Sequence, residues 1–308
     1  MALAILNMFD FIRYRKWFYL LSLVLVVVSL FGLFSWGLNW GIDFRGGSSI
    51  YVEYQNERPA ISDLRSELNQ LDLGEVEVRT AGEKGVMIQL TETLDDELRD
   101  EILLQLEQDH QLVEGSYEFE NISATISQDL ANKTQRAVFI SILVILIYVS
   151  WAFIKINRPV PSWQYGLTAS LALIFDVMIM LGVFIFLGQF MGLEINVPII
   201  TALLIVFGYS VNDSVVVFDR IRENLLKGVG RDYSETVNYA INQSLGRSLK
   251  TSLTTIVVLL FLLLLGGSTL YFFALALIVG IISGTYSSLF IASPLLVDLY
   301  QWRFKNRN

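Results

Sequence analysis

The 308-residue chain contains no cysteine and one histidine, His110. Disulfide frameworks, thiolate metal sites and cysteine nucleophiles are thereby excluded, and a lone imidazole in a polar stretch offers no metal cluster. No G-x-x-x-x-G-K-[ST] loop occurs, so work done by this chain has to draw on an ion gradient or a partner. The residues give no sign of catalysis, of a cofactor or of nucleic-acid binding. Charge is sparse as well: charged residues make up 17% and hydrophobic residues 54%, with a mean hydropathy of +0.53. Such values belong to a chain with several membrane spans.

What charge there is lies unevenly. Residues 38–130 hold 21 acids against 6 bases, a net −15, while the remainder is +7 of the overall −8. An acidic insert sits in a basic membrane body. Six apolar runs are legible: Trp17 to Trp36, Ala137 to Phe153, Trp163 to Gly188, Val197 to Phe218, Leu249 to Leu265 and Tyr271 to Leu299. Each approaches the roughly 20 residues that a helix needs to cross the hydrocarbon. The first exceeds a cleavable signal peptide's apolar core and no small-x-small site follows, so it is expected to stay as an anchor.

Basic residues gather after span two (Lys155, Arg158), after span four (Arg220, Arg222, Lys227, Arg231) and after span six (Arg303, Lys305, Arg307), whereas the short loops Gln189–Asn196 and Gly266–Ser268 carry none. The positive-inside rule then places both termini and segment 219–246 in the cytoplasm. The expected domains are 1–36 (N-terminus and first span), 37–130 (extracytoplasmic insert) and 131–308 (spans two to six).

Within the insert, alternation in Ser49–Tyr54, Val76/Val78, Val86/Ile88/Leu90 and Tyr117–Phe119 marks strands, and helical spacing joins Ile61, Leu64, Leu68 and Leu71, then Leu94, Leu98, Ile102 and Leu106. The order is βαββαβ, a ferredoxin-like α+β sandwich with both helices on one face of a four-stranded antiparallel sheet. The fold class is therefore an α-helical membrane protein, six transmembrane helices with this domain between the first two. The acids at Asp95–Glu97 and Asp100–Glu101 read as a solvated helix face and its cap, or as a surface for basic segments.

Chemistry concentrates in span four, where Asn212 and Asp213 interrupt an apolar run. An aspartate at mid-membrane costs about 2.5–3.5 kcal/mol, so it needs a partner, a proton or water. Desolvation opposes its ionisation and a neighbouring cation favours it, the opposition that poises a proton carrier. Arg247 is a candidate cation, and Arg247, Thr251, Thr254 and Thr255 share one helical stripe. The alternatives are a static Asp213–Arg247 clamp or an arginine that snorkels to the headgroups. Asp176, mid-span in a helix with Gly166, Thr168, Ser170 and Gly182, either caps a polar seam or lines a proton path. Gly280 and Gly284, four apart, permit close helix approach. Gly41, Asp43, Gly46 and Gly47 form a turn just after the first span.

These blocks together resemble the SecD/SecF family of translocon accessory subunits: Gly41-Ile42-Asp43-Phe44 with Gly46-Gly47, the run from Gly208 through Asp213 to Asn224, Arg247-Ser248 with Thr251–Thr255, and Gly284–Ser288. The resemblance implies half of a resistance-nodulation-division-type transporter. It implies pairing with SecD, work on unfolded preprotein at the SecYEG channel with YajC as a further partner, residence among lipids of the bacterial cytoplasmic membrane, and use of the proton-motive force. It also implies that Asp213 couples protons, with Arg247 its partner and Thr251 and Asp176 nearby. Three departures stand out: Phe175 where histidine usually precedes the span-three acid, Arg45 in place of a small residue, and Asn121-Ile122-Ser123-Ala124 at the entry to span two. Two other readings follow from the same residues, a small-molecule or lipid exporter and a non-catalytic translocon scaffold.

Overall fold

The computed structural model describes residues 9–68, 71, 73, 76–81, 84–108, 111–113, 117–154, 159–266 and 268–305. His110, Lys155, Arg158, Gly267 and Arg307, and the tip of the turn around Gly82, lie outside them. Two compact units emerge: Asn39–Arg136 together with Phe190–Val197, and a helical unit made of the rest.

In the first unit the strands are β1 (Gly47–Glu53), β2 (Val76–Ala81), β3 (Gly85–Leu90) and β4 (Glu118–Ile122), in the antiparallel order β2-β3-β1-β4. Register is set by the apolar alternation: Ile50 lies opposite Ile88 on one side and Phe119 on the other, and Val78 opposite Ile88. α1 (Arg15–Trp36) precedes this unit; within it α2 (Ile42–Arg45) comes before β1, α3 (Ile61–Leu68) after it, and α4 (Asp96–Gln108) before β4. Leu64, Leu68, Ile102 and Leu106 bury against Ile50, Val52, Val86 and Ile88, so both long helices of the insert cover one face. Asp95 accepts from the Leu98 amide and so caps α4, while Asp96 and Asp100 pair with Arg99. Gly47 carries φ +114°, and a Cβ there would stand 2.1 Å from the Leu90 carbonyl oxygen. Only glycine fits where the chain leaves α2 and enters the sheet.

The sheet's other face receives the segment Phe190–Val197. Glu194 accepts from Gln89 Nε2 at 2.5 Å and from Arg79 Nη1 at 2.7 Å. Ile195 exchanges backbone bonds with Asn39 and Gly41, and the Asp43 carboxylate accepts from the Val197 amide at 2.7 Å. What reads in sequence as a plain connection between spans three and four is thus an integral part of the insert.

The helical unit draws on α1, then α5 (Ala124–Ala152), α6 (Ser162–Met191), α7 (Val197–Leu226), α8 (Tyr233–Leu265), α9 (Ser268–Ser287) and α10 (Ser293–Lys305), the last two joined by a π-helical turn, Ser288–Ala292. Among the described residues six stretches are long and apolar enough to cross a membrane, the sixth being Leu270–Arg303. The helices outrun the apolar runs that announce them. α5 begins at Ala124, one residue after β4, so the entry segment Asn121–Ala124 forms a strand end and a helix start rather than a free hinge. α8 begins at Tyr233 because Asp232 accepts from the Glu235 amide and Glu235 reaches back to the Arg231 amide, a reciprocal cap.

Candidate functional site

The centre of the helical unit holds two buried carboxylates. Asp213, on α7, is 7% exposed, and Asp176, on α6, is 1% exposed. Serine hydroxyls surround both. Ser248 of α8 donates to Asp213 Oδ1 and Ser288 of the π-helical turn to Asp213 Oδ2, each at 2.5 Å. Asp176 accepts from Ser283 at 2.7 Å, Ser210 at 2.6 Å and Ser287 at 2.9 Å.

The backbone explains how these donors converge. Gly280 lies where a Cβ would come within 2.2 Å of Val206, and Gly284 where one would come within 2.9 Å of Ser210, so α9 approaches α7 closely enough for serines to span the gap. Just beyond, Ser287 and Ser288 point to different acids because successive helical residues diverge by about 100°. The widened turn is filled by Ser293, which donates to the Ser288 carbonyl. A short hydroxyl seam continues alongside: Tyr209 donates to Ser252, and Ser252 shares a 2.6 Å bond with Thr285.

Chemically, a serine hydroxyl donates to an ionised carboxylate and, by rotating, accepts from a protonated one. Both acids therefore sit in cages that can serve either state.

The structure redistributes the sequence-derived candidates. Arg247 forms no ion pair with Asp213 and lies on the exposed side of α8. Thr251 and Thr254 are exposed as well, and they donate to carbonyls of their own helix. The face of α8 that meets Asp213 is instead Ser244, Ser248 and Ser252, all buried. Asn212 projects from the exposed side of α7 and meets no polar partner among the described residues. Phe175 packs near Tyr286, with ring centroids 5.9 Å apart, and has no relay chemistry to offer. Gly41, Asp43, Gly46 and Gly47 belong to the insert, with Asp43 bonded to the first residue of α7. In the sequence Ser210, Ser248, Ser287 and Ser288 stand only as members of larger blocks, with no donor role assigned, because each is unremarkable alone. Their signal was spacing: 244, 248, 252 and 283, 287 recur every four residues.

Six membrane-length helices around hydroxyl-caged acids, interrupted by a split-βαβ insert, define a multi-pass membrane protein. The comparisons with known proteins carry this to a family. The model for "Protein export membrane protein SecD/SecF, C-terminal" matches residues 105–302, and that for the "SecD/SecF GG Motif" matches 31–57. Protein translocase subunit SecF of Thermobaculum terrenum is 40% identical over 94% of each chain, and that of Haemophilus influenzae 35% identical over 94% of this chain and 86% of its own. The crystal structure of SecDF, a translocon-associated membrane protein from Thermus thermophilus, superposes with a TM-score of 0.83 at 34% identity and covers 96% of this chain. This chain spans 39% of that one. The chain belongs to the SecF family, whose members are transport components.

Proposed function

We propose that this chain pairs with SecD as an accessory subunit of the Sec translocase and uses the proton-motive force to promote preprotein export across the cytoplasmic membrane. The observation that carries the reading is the pair of buried acids satisfied by hydroxyls alone, an arrangement that tolerates gain and loss of a proton. A static Asp213–Arg247 clamp finds no ion pair to rest on. In the proposed orientation the basic helix ends and both termini face the cytoplasm. Protonation of Asp213 turns one carboxyl oxygen into a donor, so the hydroxyl of Ser248 or Ser288 facing it must rotate to accept or let go, and α7 shifts against α8 and α9. The insert follows because its segment Phe190–Val197 is continuous with α7, and because Asp43 holds the Val197 amide.

The test is an export assay in inner-membrane vesicles with an imposed pH gradient. Asp213→Asn is expected to remove the gradient-dependent increment of export while membrane insertion and copurification with SecD persist. An undiminished increment would overturn the proposal, and an increment that follows a sodium gradient instead would reassign the ion.

A further inference from the structure

The insert holds a cavity of its own. It measures about 590 Å³ and lies at the end of the sheet, where β2 begins, β3 finishes and α2 leads into β1. Trp40, Val76 and Leu90 supply apolar walls, and Glu77 and Glu194 supply carboxylates that are already engaged. Glu194 accepts from Arg79 through one oxygen and from Gln89 through the other, and Arg79 also closes on Glu77 at 2.6 Å. Two further arginines line the cavity, Arg45 at the end of α2 and Arg65 on α3, and both are exposed. Among the described residues neither guanidinium has a hydrogen-bond or ion-pair partner. Three arginines thus stand against two carboxylates. The turn fixes Arg45: Gly46, at φ +83°, donates its amide to the Ile42 carbonyl and ends α2 there. Beside the cavity runs a free sheet edge, since β2 is the outer strand of β2-β3-β1-β4 and no described residue pairs with its outer side. Such an edge presents N–H and C=O groups that an extended chain can complete. Val76 and Glu77 belong both to this strand and to the cavity wall, so a segment laid along β2 delivers a side chain into the cavity.

We infer that the insert binds an extended segment of unfolded preprotein by strand addition along β2, with an Asp or Glu of that segment seated in the cavity and Arg45 and Arg65 as its donors. The identity of the substrate rests on the export reading above. The chemistry of the occupant rests on the cavity. Its surplus positive charge repels Lys and Arg side chains, whereas planar guanidinium groups bind a carboxylate through paired N–H donors. The walls at Trp40, Val76 and Leu90 suit the methylenes that carry the carboxylate and an apolar neighbour along the chain. Arg45 is one of the three departures noted in the sequence, and here it supplies one of the two donors.

The test is fluorescence anisotropy with the full chain in nanodiscs, empty nanodiscs serving as the blank. The probes are fluorescein-labelled unstructured peptides that carry Glu, Gln or Lys at one position of an otherwise uncharged sequence. The Glu peptide is expected to bind about tenfold more tightly than the Gln peptide, and the Lys peptide more weakly than either. Arg45→Gln combined with Arg65→Gln should erase the preference for Glu, and the paired Arg→Lys changes should restore part of it. A Glu peptide N-methylated at alternate amides should lose most of its affinity, and excess acetate should not displace the unmodified one. Equal binding of the Glu and Gln peptides, an undiminished preference in the double Gln variant, full binding by the N-methylated peptide, or displacement by acetate would each overturn the proposal. Neither a gradient nor SecD is present, so a failure here leaves the Asp213→Asn test untouched, and a failure of that test leaves the binding result standing.

Discussion

Ser248 and Thr251 stand one helical turn apart on α8, yet only one of them touches an acid. Ser248 donates to Asp213, whereas Thr251 donates to carbonyls of its own helix. Hydrogen bonds to charged groups contribute about 1.5–3 kcal/mol, roughly a tenfold or larger effect on the equilibrium they bias. Ser248→Ala is therefore expected to lower the gradient-dependent export increment about tenfold and to shift its pH dependence, with Ser248→Thr recovering part. Thr251→Val should change that increment less than twofold. Asp213 itself was legible in the sequence, because a lone acid in an apolar run announces its cost. Its partners were not, because a serine in a membrane helix is commonplace and only three-dimensional convergence gives it meaning. The cation that the sequence offers is Arg247, which carries the charge but sits on the exposed side of the helix.

Among the elements, the apolar runs foretold all six spans and the alternation foretold the four strands. Helix ends were less legible, since α5 and α8 continue into polar residues held by caps rather than by burial. The segment Phe190–Val197 was legible only as a connection, because its attachment to the sheet rests on one carboxylate and a few backbone bonds. Burial pushes the Glu194 carboxyl above the ordinary glutamate range, although Gln89 and Arg79 pull it back. A carboxyl whose docked value is raised binds protons better docked than free. The docking is then firmest below the ordinary glutamate range and weakens as pH rises through the raised value. Hydrogen exchange at the Gly41 amide, bonded to the Ile195 carbonyl, should accordingly show stronger protection at acidic than at neutral pH once intrinsic rates are removed. Glu194→Gln should flatten that dependence, and an unchanged pH profile would count against the assignment.

For the molecule entire, one surface of α7 stands out. Ile205, Gly208 and Asn212 are exposed along it at spacings of three and four, and a Cβ on Gly208 would meet nothing. An exposed asparagine at membrane depth is costly unless another chain covers it. In the proposed pairing with SecD this face is the contact. Cysteines introduced at Gly208 or Asn212 are expected to cross-link to SecD in membranes, and cysteines on the exposed α8 positions Leu253 or Val257 are not. Cross-linking with the opposite preference would move the interface.

Ser287 and Ser288 follow one another on a single backbone, and they feed different acids. A twist of that turn large enough to free one hydroxyl swings its neighbour too. On the proposed proton-coupling reading this turn ties Asp176 to Asp213: a proton that breaks the Ser288 bond to one acid disturbs the Ser287 bond to the other through a single peptide link.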